Sequence, residues 1–178
     1  MKKVLVTGGA GYIGSHTVLA LLESGREVVV IDNFSNSSSE SIRRISKISS
    51  SNPKLIEGDI NDRKILRRIF TENINISSVI HFAALKAVGE STQQPLNYYR
   101  NNVSGSITLL EEMQKAGVGE LIFSSSCTVY GEPQKVPISE DFPTGNVSSP
   151  YGRTKYMMEG IIKDFSASDP EFNFGILR

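Results

Sequence analysis

A chain of 178 residues, 39% hydrophobic and 21% charged, has the length and balance of one globular domain with a sizeable core. Lys plus Arg equal Asp plus Glu, 19 of each, and this zero formal net charge argues against a nucleic-acid or anionic-membrane surface. The lone cysteine, Cys127, excludes an intramolecular disulfide, and Met1-Lys2-Lys3 leads into an apolar run too short for a signal peptide or membrane span, so a cytoplasmic protein is expected.

Val4-Leu5-Val6 is rich in β-branched residues, ends in glycines and reads as a buried strand. Residues 12–24 follow with Ile13, Val18, Leu19, Leu21 and Leu22 at helical spacing, closed by Gly25. Val28-Val29-Val30-Ile31 predicts a second buried strand ending at Asp32. The polar stretch from Asn33 to Ser41 is a loop, after which Ile42, Ile45 and Ile48 form the apolar stripe of a helix broken at Ser49 to Pro53. Lys54-Leu55-Ile56-Glu57 is a weaker third strand ending at Gly58-Asp59. Residues 62–73 are helical in pattern, with Ile65, Leu66, Ile69 and Phe70 on one side, and Val79-Ile80-His81-Phe82 is a fourth strand. The spacing predicts one long helix over 95–116, opened by Pro95 at a first-turn position. Leu121-Ile122-Phe123 is a fifth strand running into Ser124-Ser125-Ser126; residues 150–167 are helical, and Phe172 to Leu177 is a sixth strand.

Strands and helices alternate throughout. Continuous apolar strands imply a parallel sheet covered on both faces. The expected fold class is therefore α/β, a doubly wound parallel sheet (Rossmann fold) in a single domain, with its ligand site at the carboxyl ends of the strands.

The chemistry-bearing residues sit at those ends. Gly9-Ala10-Gly11-Tyr12-Ile13-Gly14 matches G-x-G-x-x-G after a strand and before a helix, with Gly8 just ahead of it. Such glycines allow a tight turn and close approach of backbone to a pyrophosphate, and the following helix aims free N–H groups at it. Asp32, 18 residues after Gly14, can accept hydrogen bonds from ribose hydroxyls and would repel a 2′-phosphate, favouring NAD over NADP. Asp59-Ile60 could meet an adenine, or Asp59 could cap the next helix. Tyr151 and Lys155 are four residues apart, hence neighbours on one helix face. A nearby ammonium and a positive nicotinamide ring both favour phenolate, so a lowered Tyr151 pKa is expected. Ser126 can share the proton between that phenol and a substrate hydroxyl. His16 and His81 are expected to be structural, and two histidines with one distant cysteine suggest no metal site.

These residues carry a resemblance. Thr7 to His16, with Ser126 and Tyr151-Gly152-Arg153-Thr154-Lys155, resemble the extended short-chain dehydrogenase/reductase family. Val79 to Ser91, Phe123 to Gly131 and Phe142-Pro143-Thr144-Gly145 are similar to its UDP-sugar 4-epimerase branch. The resemblance implies an NAD-dependent isomerase acting on UDP-galactose and UDP-glucose through a 4-keto sugar. It implies that Gly8, Gly11, Tyr12, Ile13 and Gly14 hold the cofactor pyrophosphate. Asp32, Asn33, Phe34, Ser35, Asn36 and Ser37 would embrace the adenosine ribose, and Asp59 with Ile60 the adenine. Phe82, Ala83, Ala84, Leu85 and Lys86 would line the far side, Lys86 near the phosphates, with Asn101 supporting the cofactor side. Ser126, Tyr151 and Lys155 would be catalytic and touch the cofactor, while Lys86, Ser126 and Tyr151 would meet the substrate.

Two positions depart from the family pattern: Ala84 stands where a glycine is usual and Cys127 where an alanine is usual, the latter expected as a small buried residue. The related dehydratases carry an Asp-Glu pair where this chain has Cys127-Thr128, which argues against dehydration. The resemblance also implies a homodimer through the helices near 95–116 and 150–167. The family pattern continues past the sixth strand into a smaller substrate domain, so residues 1–178 are expected to be the NAD-binding domain, C-terminally truncated relative to the family, able to bind NAD and dependent on the remainder for turnover.

Overall fold

The computed structural model describes residues 2–178; Met1 lies outside them. Six parallel strands form one sheet in the order β3-β2-β1-β4-β5-β6. They are β1 (Lys3–Thr7), β2 (Glu27–Asp32), β3 (Lys54–Glu57), β4 (Ile76–His81), β5 (Glu120–Ser124) and β6 (Asn173–Leu177). The helices are α1 (Tyr12–Glu23), α2 (Glu40–Ile48), α3 (Arg63–Glu72), α4 (Val88–Gln93), α5 (Pro95–Tyr99), α6 (Gly105–Lys115) and α7 (Pro150–Ser168).

Strand side chains alternate between two cores because successive Cβ atoms leave opposite faces of a sheet. Leu5, Val29, Ile31, Val79, Leu121 and Phe123 pack with residues of α3, α6 and α7. Val4, Val6, Val28 and Val30 pack with Val18 and Leu22 of α1 and Ile42 and Ile45 of α2. Both faces of the central strands are thus apolar, which is why these strands read as unbroken hydrophobic runs. The edge strands differ: Lys54 and Glu57 of β3, and Phe174 and Leu177 of β6, are exposed.

Helix starts follow local chemistry. The Asp62 carboxylate accepts from the backbone N–H groups of Lys64 and Ile65, closing the first turn of α3. Ser149 does the same for Gly152 at the head of α7, where Pro150 supplies a preset φ at a position needing no donor.

Five features depart from the sequence reading. The helix expected over 95–116 is interrupted by a π-helical turn at Arg100–Ser104, between α5 and α6. Its cause is side-chain wiring: buried Asn102 bonds to Leu85 and Thr154, and the wide turn aims it there. A short helix, α4, precedes it in a segment with no apolar periodicity. A 3-10 turn at Cys127–Tyr130 follows β5 and buries Val129 and Tyr130. Ile48, expected in the stripe of α2, is exposed at its last turn, while Ile42 and Ile45 carry the packing. β4 also begins earlier and ends sooner than its apolar run, at Ile76 and His81, because pairing with β1 sets its limits.

Replacing Asp62 by Ala should destabilise the chain by about 1 kcal/mol, the usual cost of losing such a cap. Urea unfolding followed by circular dichroism checks this through a lowered midpoint at unchanged slope.

Candidate active site

A cleft of about 290 Å³ opens at the carboxyl ends of the strands, between the turns that leave β1 and β4. This is where the strand order reverses, the position at which doubly wound sheets take ligands.

Its floor is the glycine turn. Gly8 has φ +66°, and a Cβ there would stand 2.6 Å from the Ala83 backbone nitrogen. A Cβ on Gly14 would collide with the Gly8 carbonyl oxygen. The turn after β1 therefore lies against both α1 and the turn after β4, with backbone touching backbone. Gly11 precedes α1, whose opening turn faces the cleft through Tyr12, Ile13 and Gly14. Aligned peptide dipoles make that end a seat for negative charge.

One wall comes from the end of β2. Buried Asp32 accepts from the Ala10 N–H with one carboxylate oxygen at 2.9 Å. Its other oxygen accepts from the Phe34 N–H and the Ser37 hydroxyl, at 3.0 and 2.7 Å. Asp32, Asn33, Ser35, Asn36 and Ile60 line the cleft, whereas Phe34, Ser37 and Asp59 are not part of its lining. Phe34, with φ +55°, packs on the α1–α2 side of the sheet. Asp59 accepts from the Asn33 side-chain amide at 2.9 Å and from the Asn61 N–H at 2.8 Å. Asp62, not Asp59, caps α3.

The opposite wall carries Phe82, Ala83, Ala84, Leu85, Lys86, Asn101, Ser126, Tyr151 and Lys155. Lys155 is 4% exposed; its ammonium donates to the Ser124 carbonyl at 2.7 Å and lies 4.8 Å from the centre of the Phe123 ring. Burial lowers its pKa to about 8. The Ser126 hydroxyl accepts from the Thr128 N–H and hydroxyl at 3.2 and 3.0 Å. Burial raises the Tyr151 phenol above its ordinary value, while hydrogen bonding to Ser126 opposes that rise and the neighbouring Cys127 adds to it. The lowered phenol was expected from the ammonium together with a positive nicotinamide ring; the protein groups by themselves leave it raised. Removing the phenol from water outweighs its surroundings, and the ammonium is directed at a backbone carbonyl.

Residues 4–178 match the pattern of the NAD dependent epimerase/dehydratase family. The chain belongs to that family. It is 56% identical over 175 residues to UDP-glucose 4-epimerase of Haemophilus influenzae, covering 98% of this chain and 52% of that protein. It is 58% identical over 175 residues to the Yersinia enterocolitica UDP-glucose 4-epimerase, with the same shares of 98% and 52%. It superposes on the UDP-glucose 4-epimerase of Bifidobacterium longum, solved in complex with NAD+ and UDP, with a TM-score of 0.97 and 46% identity, covering 99% of this chain and 52% of that one. The chain spans about half the length of the curated relatives it matches.

The site fits the cofactor for which this family is named. Gly8, Gly11 and Gly14 bring side-chain-free backbone to the cleft wall at the head of α1, where a pyrophosphate can approach it, and Asp32 lines the neighbouring wall.

His81 is structural, as expected, but its partners and several other participants were not visible in the sequence. Buried His81 stands between the Thr7 hydroxyl, 2.6 Å from Nδ1, and the Ser106 hydroxyl, 2.7 Å from Nε2. Ser106 donates onward to the Asn102 carbonyl at 2.7 Å, so it accepts from His81, which is neutral with its proton on Nε2. Burial lowers its pKa to about 3, with help from the Lys155 charge. Fully buried Tyr98 bonds both backbone groups of Ala87 and the Glu90 carboxylate, holding the segment that carries Lys86. Burial, then Glu90, pushes its phenol up to about 12. Only the Asn101-Asn102 pair, two poor helix formers inside a helical pattern, signalled any of this. Cys127 requires a correction: expected to be buried, it is exposed, because the 3-10 turn uses Val129 and Tyr130 for burial and directs its first residue outward.

His81 takes up no proton in the folded state until about pH 3, whereas an unfolded histidine does so near 6.5. Stability should therefore fall as pH drops below about 6.5, since the unfolded chain then binds the extra proton. Between about pH 5 and 6.5, above the range of ordinary carboxylates, the slope of unfolding free energy against pH should be flatter in His81→Gln than in the unsubstituted chain.

Proposed function

We propose that residues 1–178 form the NAD-binding domain of a UDP-glucose 4-epimerase, which interconverts UDP-galactose and UDP-glucose through a 4-keto sugar. The observation that carries this reading is the convergence of Ser126, Tyr151 and Lys155 on the same cleft as the glycine turn and Asp32. The likeness to UDP-glucose 4-epimerases, at 56% identity to the Haemophilus influenzae protein, supports it.

In this reading the N–H groups at the head of α1 and the bare backbone of Gly8 to Gly14 hold the cofactor pyrophosphate. Asp32, with Asn33, Phe34, Ser35, Asn36 and Ser37 around it, receives the adenosine ribose; Asp59 and Ile60 flank the adenine. Phe82, Ala83, Ala84, Leu85 and Asn101 face the rest of the cofactor, and Lys86 offers its ammonium to phosphate. NAD, when bound, would supply the acceptor for the hydride at sugar C4. Tyr151 Oη removes the proton from the 4-hydroxyl and later gives it back. Ser126 Oγ bridges that oxygen and the phenol, steadying the proton in transit. Lys155 supplies fixed positive charge beneath the site and reaches the nicotinamide ribose. The positive charge brought by NAD favours the phenolate, offsetting the burial that raises Tyr151 here.

The same reading includes a homodimer through α5–α6 and α7, supported by exposed Leu96, Ile107 and Met157 on those helices. A cytoplasmic setting is supported by the single free thiol. Among the described residues no helix is long and apolar enough to cross a membrane.

Calorimetric titration with NAD should give saturable binding, weakened at least about tenfold in Asp32→Asn by loss of charge-assisted hydrogen bonds. Gly14→Ala should abolish it through the clash with Gly8. With excess NAD, any conversion of UDP-galactose to UDP-glucose should fall about 10²- to 10⁴-fold in Tyr151→Phe. Absence of NAD binding by a folded chain overturns the reading, and conversion indifferent to Tyr151→Phe removes the proposed base.

A further inference from the structure

One buried acid takes no part in the mechanism above. Glu159 lies on α7 one turn beyond Lys155 and two turns beyond Tyr151, on the same helix face. It is 2% exposed. Its carboxylate accepts from the Ser125 hydroxyl at 2.5 Å and from Arg178 Nε and a terminal guanidinium nitrogen at 3.0 and 2.6 Å. Arg178 also donates to the Tyr130 hydroxyl at 2.9 Å, at the end of the 3-10 turn whose first turn is capped by Ser126. Ser125 in turn donates its N–H to the Leu177 carbonyl of β6 at 2.7 Å.

Helix α7 is thus fastened to the end of β5 at two successive residues: Lys155 to the Ser124 carbonyl and Glu159 to the Ser125 hydroxyl. The next residue is Ser126. A surface pair would not constrain it, but a bidentate, nearly inaccessible carboxylate holds its partner in a single place.

Building on the proton-transfer roles given above to Ser126 and Tyr151, we propose that Glu159 is a positioning residue, which through Ser125 sets where the Ser126 hydroxyl stands against the Tyr151 phenol. Arg178 keeps the Glu159 carboxylate aimed while it does so.

The test reads the Tyr151 phenol in the chain without nucleotide, so it stands whether or not NAD binds; calorimetry on the unsubstituted chain decides that separately. Titration is followed at the tyrosine Cζ resonance, assigned against Tyr151→Phe, since the chain has 6 tyrosines. Lys155 on α7, Cys127 on the 3-10 turn, and Tyr98 on α5 with its partner Glu90 on α4 are the titratable groups set around this phenol, and Ser125→Ala leaves all of them in place. Ser125→Ala should raise the midpoint by about half a pH unit, the equivalent of one modest hydrogen bond. Ser125→Thr, which keeps the hydroxyl, should restore it. In a Ser126→Ala background the same Ser125→Ala change should add nothing, because its effect passes through Ser126. Glu159→Met combined with Arg178→Met removes both charges together, a replacement that buried ion pairs often tolerate, and should reproduce the Ser125→Ala shift. An unchanged midpoint in Ser125→Ala, or an equal shift in the Ser126→Ala background, overturns the proposal.

Discussion

A parallel sheet can be extended from its first strand in two directions, and the change of direction leaves a gap that the chain does not close. Here the change falls between β1 and β4. Helices α1 and α2 cover one face of the sheet, and α3, α6 and α7 the other, so the turns leaving β1 and β4 part company at the carboxyl ends. Every group of the candidate site is either at the rim of that gap or directed into it by the elements behind. The glycine turn is its floor, Asp32 one wall, and Lys155 the other.

What holds the rim is a buried polar chain rather than apolar packing. Thr7 at the end of β1 meets His81 at the end of β4; His81 meets Ser106, Ser106 the Asn102 carbonyl, and the Asn102 amide the Thr154 hydroxyl of α7. The chain therefore runs from the strand before the glycine turn to the helix that bears Tyr151 and Lys155. Each member has its partners, and no buried side-chain polar atom among the described residues is left unpaired. In a low-dielectric interior such a network has one good arrangement and many bad ones, which makes it a device for exact placement. The π-helical turn is part of that device, since it directs Asn102 toward Leu85 and Thr154.

The sheet and its helices were legible in the sequence because both are written in local periodicity. Val28 to Ile31 reads as a buried strand for the same reason that it is one: both faces are covered. The glycine turn and the Tyr151–Lys155 pair were legible too, each being a short spacing with a physical meaning. The partners of His81, Asn102 and Glu159 were not, because they lie far along the chain, and those of Tyr98 were not, because pairing leaves no periodic trace. The 3-10 turn at Cys127–Tyr130 was missed for a related reason: a single turn has no period, and burial there is decided by Val129 and Tyr130 rather than by the polarity of Cys127. The phenol of Tyr151 shows the limit of arguing from neighbours alone, since burial outweighs them.

The close approach of Gly8 to Ala83 makes the turn after β1 and the turn after β4 one interlocked part, although 75 residues separate them. A nucleotide loop of this kind is not a portable module. Grafting residues 8–14 onto another sheet would carry over the glycines without the backbone they were shaped against, and exchanging residues 82–83 alone would leave Gly8 facing the wrong surface. Recombination between relatives should therefore succeed when both turns come from one parent, with the crossover placed outside the interval that joins them.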